Sequence, residues 1–316
     1  FNYKKLFLFT LPSVVMMVFT SVYCVVDGFF VSNFAGKTAF AAINLIMPFI
    51  MILGGIGFMI GTGGSALVSY TLGTGDKEKA NRYFSMLVYF TILAGILLTV
   101  LGIIFVRPIA ELFGADESMM DTCVLYGRIV IAFNAAFMLQ NIFQSFFVVA
   151  EKPRLGLIVT IAAGVTNMVL DALFVGVFKW GTVGAALATG ISQSIGGLLP
   201  LLYFALPNNS PLQLTRTGFE LAPLLKASSN GCSELMSNVA SSLIGIVYNY
   251  QLMRLGGENA VATYGVLMYI QFVFIAIFIG YSVGSAPIIG YHYGAGNFKE
   301  LQNMRRKSLK IMSISG

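Results

Sequence analysis

Charge is what this sequence has least of. Only 10% of its 316 residues are Asp, Glu, Lys or Arg, against roughly 25% in an ordinary soluble domain. So few ions cannot dress a water-facing surface, and a soluble globular domain is excluded. Histidine is nearly missing: His292 stands alone and reads as an interfacial residue at the inner end of the last long apolar run. With so little histidine goes any His-based metal cluster or Ser/His/Asp arrangement. Cys24, Cys123 and Cys232 have neither metal nor disulfide spacing and read as small apolar fillers. Nucleotide-binding glycines are absent too, because "GGIGFMIGTGG" (54–64) lies inside an apolar run with no strand before it. No enzyme and no organic cofactor is expected.

What the chain has instead is apolar length. It is 57% hydrophobic with a mean hydropathy of +0.83, in successive runs of about the 20 residues that cross a bilayer as a helix. The expected class is all-α, a polytopic helical membrane protein. Eight spans are expected, at about 6–32, 40–72, 83–106, 123–149, 156–178, 183–205, 221–254 and 260–293, with a ninth starting near Asn303. Runs this long imply tilt or extension beyond the bilayer, and Pro12, Pro48 and Pro287 mark sites of local kinking. The first run is too long, and carries an acid too near its middle, for a cleavable signal peptide. Because the sequence opens at Phe1 without a Met, its natural start is expected upstream.

The cations set the orientation. With the N-terminus inside, 14 of the 19 Lys and Arg fall in inner segments and only Lys37, Arg107, Arg128, Lys179 and Arg254 fall outside. The net charge of +6 is thereby a topology signal, and no nucleic-acid partner is needed to explain it. Trp180 sits where an outer interfacial anchor belongs.

An internal repeat divides the chain. "AGKTAFAAINLIMPF" (35–49) aligns with "GGENAVATYGVLMYI" (256–270) at a shift of 221, pairing Gly36, Ala39, Ala41 and Met47 with Gly257, Ala260, Ala262 and Met268. With a small gap, 64–82 then aligns with 284–305. Six spans precede the second copy, so both copies share one orientation. Two parallel six-helix lobes follow: 1–205 the first, 206–220 a polar cytoplasmic linker, and 221–316 an incomplete second. A second lobe of equal length would need roughly another hundred residues beyond Gly316.

Within the spans only Asp27, Asp171 and Glu234 are deeply placed acids. Even on a lenient scale a carboxylate near the bilayer centre costs about 2.5–3.5 kcal/mol, so each asks for a cavity, a partner or an ion. Tyr23 and Asp27 lie four apart, as do Asn167 and Asp171, so each pair shares a helix face. Two carboxylates, the Asn167 carbonyl and the Thr189 hydroxyl supply most of an all-oxygen shell for sodium, by analogy with other hard cations. A proton suits the same place, because two acids in a poorly solvated pocket repel one another when both are ionised. Interhelical glue is the plainer reading of Asn167 and Asp171.

"YCVVDGFFVSNFAG" (23–36), "GGSALVSYTLGTGDKEKA" (63–80), "AEKPRLGLIVTIAAGVTNMVLDALFV" (150–175) and "WGTVGAALATGISQ" (180–193) together resemble the multidrug and toxic compound extrusion (MATE) family. The likeness runs from Leu11 to about Arg306. It implies twelve helices in two bundles and export of organic cations and amphipathic drugs in exchange for sodium ions or protons. Asp27, Asn167, Asp171 and Thr189 fall where the family's N-lobe cation site lies, and Glu234 where related transporters carry a drug-binding acid. A monomer in the prokaryotic plasma membrane, N-terminus cytoplasmic, is expected.

Softer expectations complete the reading. Asn141 and Gln144 share a face, and either line the substrate cavity with Tyr23 and Glu234 or bond between helices. Gly57 and Gly61 form a GxxxG pair for close helix approach, and Asp76 is placed to cap a helix. The 15 methionines suit a forgiving drug pocket. A lipid-linked oligosaccharide flippase of similar architecture is the alternative, but its anionic substrate would demand cations deep in the spans, and none is there. A non-transporting scaffold or sensor would have no use for clustered acids.

Overall fold

The computed structural model describes residues 3–115 and 117–315. The described residues form nine α-helices and no strand: α1 (Tyr3–Phe30), α2 (Lys37–Gly73), α3 (Lys77–Leu112), α4 (Glu117–Ala132), α5 (Asn134–Val149), α6 (Pro153–Asp171), α7 (Gly181–Ala205), α8 (Leu221–Gly294) and α9 (Phe298–Ser315). Two π-helical turns, Val31–Ala35 and Ala172–Val177, continue α1 and α6. The surroundings of Gly257, Ala260 and Ala262 from the repeat, and of Lys37 and Arg254 from the charge tally, lie outside the described residues.

Local chemistry explains the boundaries. Gly36 turns the chain into α2 at φ +92°, a conformation that side chains resist. The Asp76 side chain accepts the Lys79 amide at 2.9 Å and caps α3 as expected. Pro153 opens α6, where its missing donor leaves no bond unmade. The span expected at 123–149 is two helices, α4 and α5, bent by 54° at Phe133.

Among the described residues six helices are long and apolar enough to cross a membrane, or seven if the bent α4–α5 pair counts as one. Eight were expected from the sequence. The span expected at 221–254 does not qualify among the described residues, because Lys226, Asn230, Glu234, Asn238 and a run of serines dilute it. The last helix begins at Phe298 rather than near Asn303.

Although helical throughout, the 74 residues of α8 do not make a rod of about 110 Å. Tyr248 and Tyr264 stack with centroids 5.4 Å apart, where a straight helix would separate them by about 24 Å. The element therefore doubles back between them. Its first arm meets α2 through Ala227 and Gly231 against Met59 and Gly63, and its second through Gly290 and Gly294 against Ser69 and Tyr70. The second contact is reciprocal: Gly73 abuts the Tyr291 carbonyl and Gly294 abuts the Tyr70 carbonyl. Each of those pairs, Tyr70 with Tyr291 and Gly73 with Gly294, is related by the shift of 221 read from the sequence.

Two apolar clusters join α2–α7 and the two π turns. One joins Phe84, Phe143, Phe146, Phe147 and Phe204, with Phe84 against Phe146 at 4.8 Å and Phe204 at 5.1 Å. The other joins Ile46, Ile50, Val106, Tyr126, Ile131 and Val175. Segment 206–220 is an extended strap laid on α3, its Gln213 and Thr215 amides donating to Asn81 Oδ1 and Ser85 Oγ at 2.9 and 2.8 Å. Cys123 is buried, but Cys24 and Cys232 are exposed on helix faces and fill no core space.

The expected glycine pair is a true close approach. A Cβ on Gly57 would stand 2.6 Å from Met138 Cα, and one on Gly61 would stand 2.9 Å from Ile142 Cα. Gly57→Val should therefore destabilise the protein by about 1–3 kcal/mol, read as a lower thermal midpoint in detergent. Gly245→Ala, where nothing lies within 4 Å, should leave the midpoint level or slightly raised.

Candidate functional site

The two π turns bring the site together. Asp27 stands one helical turn before Val31–Ala35, and Asp171 is the last residue of α6 before Ala172–Val177. Such turns add a residue to the helical circuit and recur at functional positions. The turns contact each other, and the carboxyl groups of Asp27 and Asp171 are close enough to act on one another. Two glycines make room for this. A Cβ on Gly164 would stand 2.9 Å from the Tyr23 ring, so its absence seats α1 on α6. Gly184 lets α7 lie against Phe174, 3.0 Å from where a Cβ would be.

Burial is deep. Asp171 is 0% exposed and Asn167 2%, one turn apart on one face of α6. Thr189 lies on α7, which packs along α6 and its π turn. Asp27 Oδ1, Asn167 Oδ1, both carboxyl oxygens of Asp171 and Thr189 Oγ1 are all buried with no hydrogen-bond partner in the protein. Each unmet buried polar atom costs about 1–3 kcal/mol, so these five oxygens carry a cost that a bound positive group would relieve. The donor set is all oxygen and suits a proton or a hard cation. Among the described residues no group of three or more His, Cys, Asp or Glu is present.

Of the softer candidates, Tyr23 lies against the Gln140 amide and near Asp27. Asn141 donates to the Gly54 carbonyl at 3.1 Å and ties α5 to α2. Gln144 is buried on α5. Glu234 is half-buried on the first arm of α8, beside Leu235, which packs near Gly55, and is not joined to the carboxyl pair.

Three residues escaped the sequence. Tyr126 of α4 is 1% exposed and close to both carboxylates. Gln140 occupies the room left by Gly196, where a Cβ would stand 2.7 Å from its Cδ, and its Oε1 is unbonded. Gln193, one turn before Gly197, also has an unbonded buried oxygen. Beside the expected Asn141 and Gln144, Gln140 and Gln144 at i,i+4 are the more deeply buried pair.

A model of the MatE family matches residues 12–173 and 235–316. The chain belongs to the MatE family. It is thus a multi-pass membrane protein of a family of transporters, not of enzymes. The multidrug export protein MepA of Staphylococcus haemolyticus is 24% identical over 315 residues, covering 99% of this chain and 68% of that protein. MepA of Staphylococcus saprophyticus is 25% identical over 295 residues, 92% of this chain and 64% of that one. The chain therefore spans about two thirds of the length of these curated relatives. A solved outward-facing multidrug resistance MATE transporter of the MOP superfamily superposes with a TM-score of 0.90 at 21% identity, over 100% of this chain and 70% of that one. That likeness establishes the MatE fold, and both buried carboxylates lie inside the matched segment.

Two adjacent buried carboxyls repel unless a cation or proton joins them. Sodium ions or acid should accordingly raise the thermal midpoint of the wild-type protein, as any ligand of the folded state does. Asp171→Asn should melt higher than wild type without added cation and lose most of the response to both. A midpoint that still climbs with sodium or acid in the variant would remove the pair from cation binding.

Proposed function

We propose that this chain is the larger part of a secondary antiporter that exports organic cations or amphipathic drugs in exchange for sodium ions or protons. The observation that carries the reading is the pair Asp27 and Asp171, buried together with unbonded oxygens of Asn167 and Thr189 nearby. Residues 1–205 are the first lobe, 206–220 the linker, and 221–316 the beginning of the second lobe. The reciprocal contacts between repeat positions, Gly73 on Tyr291 and Gly294 on Tyr70, support that division. The protein works as a monomer in the plasma membrane with its N-terminus in the cytoplasm. Drug export is named in the staphylococcal relatives.

Mechanistically, the site is a place where neutralisation changes packing. In the outward-facing state a cation enters between Asp27 and Asp171 and cancels their mutual repulsion. α1 then shifts against α6, bending at Pro12, where one backbone hydrogen bond is already missing. Drug held along Tyr23, Gln144 and the first arm of α8 with Glu234 loses its counter-charge or its space and leaves outward. Cation and drug are coupled through one free energy, so each lowers the affinity for the other by the same factor. Asn141 contributes by holding α5 to α2.

Proteoliposomes containing the full-length parent give the direct test. Efflux of a fluorescent organic cation should follow an imposed sodium or proton gradient, and Asp171→Asn should abolish it while the protein stays folded in the membrane. Efflux that survives in the variant refutes the coupling role. The inner contact offers a second test. Gly73→Leu or Gly294→Leu should wedge α2 from the second arm of α8 and slow transport about tenfold, since a bias of about 1.4 kcal/mol between states already has that effect. Drug binding in detergent should persist in both variants.

A further inference from the structure

A cavity of about 1040 Å³ opens at the opposite end of α1 from the carboxylate pair. Leu8 and Phe9 of α1 and Ile158 of α6 make its walls. Leu8 and Ile158 are 52% and 61% exposed, so these two wall residues are open over about half their surface. Its rim is ionic: Lys5 from α1, Glu151 and Lys152 from the α5–α6 turn, and Arg154 in the first turn of α6. Lys152 and Arg154 outnumber Glu151 there, and the N-terminus of α6 adds partial positive charge to the same edge. An apolar slot between spanning helices with a cationic mouth is complementary to one kind of molecule that a membrane supplies in quantity.

We propose that this cleft binds one anionic glycerophospholipid. Its phosphate sits between Lys152 and Arg154, and an acyl chain lies along Leu8, Phe9 and Ile158. The volume is at the upper end of the range of about 300–1,000 Å³ typical of small-molecule sites, enough for a headgroup and part of one chain. A zwitterionic lipid fills the walls equally well but brings a cationic headgroup to a cationic rim, so the rim discriminates between them. Glu151 opposes the lipid phosphate and moderates affinity. Pro12 also lines the cleft, so the bound chain braces α1 at the point where the helix can bend. Assigning the lipid to the inner leaflet rests on the orientation proposed above; the site itself requires neither that orientation nor transport.

The test uses the full-length parent, stripped of lipid in detergent and then offered phosphatidylglycerol or phosphatidylcholine of identical chains. Bound lipid is counted by native mass spectrometry. Wild type should retain phosphatidylglycerol preferentially, and the double variant Lys152→Ala with Arg154→Ala should retain it about thirty-fold less, at the usual contribution of a basic residue facing an anionic headgroup. Phosphatidylcholine retention should not change. Glu151→Gln should increase phosphatidylglycerol retention, a gain that misfolding cannot produce. Equal retention of the two lipids by wild type, or unchanged phosphatidylglycerol retention in the double variant, overturns the proposal. So does displacement by millimolar inorganic phosphate, which would make the rim a site for a free anion.

Discussion

Hydrocarbon offers no hydrogen bonds, and most of this structure follows from that one deficiency. A chain inside it must bond its own backbone, and helices do so within a single segment. Polar side chains face the same demand and mostly answer it locally. Thr10, Thr20, Ser21, Thr71 and Thr91 each donate to the carbonyl one turn back on their own helix. Against this thrift the unbonded oxygens of Asp27, Asn167, Asp171 and Thr189 stand apart. Four of them, Asp27 Oδ1, Asn167 Oδ1 and both Asp171 oxygens, are acceptors left without a donor, a condition that a mobile cation or proton would satisfy.

The same solvent also removes the usual drive for helices to associate, since a lipid tail is as apolar as a leucine. Contact then depends on how closely backbones approach. The glycines of α2 illustrate this along one helix: Gly57 and Gly61 receive α5, Gly63 the first arm of α8, and Gly73 the second. α2 is therefore the common wall between the bundle that holds the carboxylates and the element that folds back beside it. Motion of one against the other would turn on contacts that any added side chain would obstruct.

Family membership fits this physics without replacing it. At 21–25% identity the relatives share a fold and long matched segments, while the chemistry of the site rests on the residues of this chain. An Asp at the end of α6, a π turn after it and a second Asp beside it are observations of this molecule.

Much of the protein was legible in its residues. Scarce charge with long apolar runs determined a helical membrane protein, and the acids within spans singled out Asp27, Asp171 and Glu234. What sequence could not decide was geometry across helices. Spacing along one helix reveals a shared face, but which faces meet depends on bends and glycine contacts from distant segments. For that reason Tyr126 and Gln140 went unnoticed, Asn141 turned out to bond the α2 backbone, and the span expected at 123–149 divided at Phe133. The first arm of α8 fell short as a span for a related reason. Its serines and its Asn and Glu residues suit a helix beside other helices rather than one wrapped in lipid, and hydropathy summed along a chain does not show which neighbour a residue will have. The sequence by itself determined the solvent and the chemical inventory; the tertiary structure alone decided the meetings, because the oxygens of Asp27 and Asp171 are brought together by two π turns and by the space that Gly164 and Gly184 leave empty.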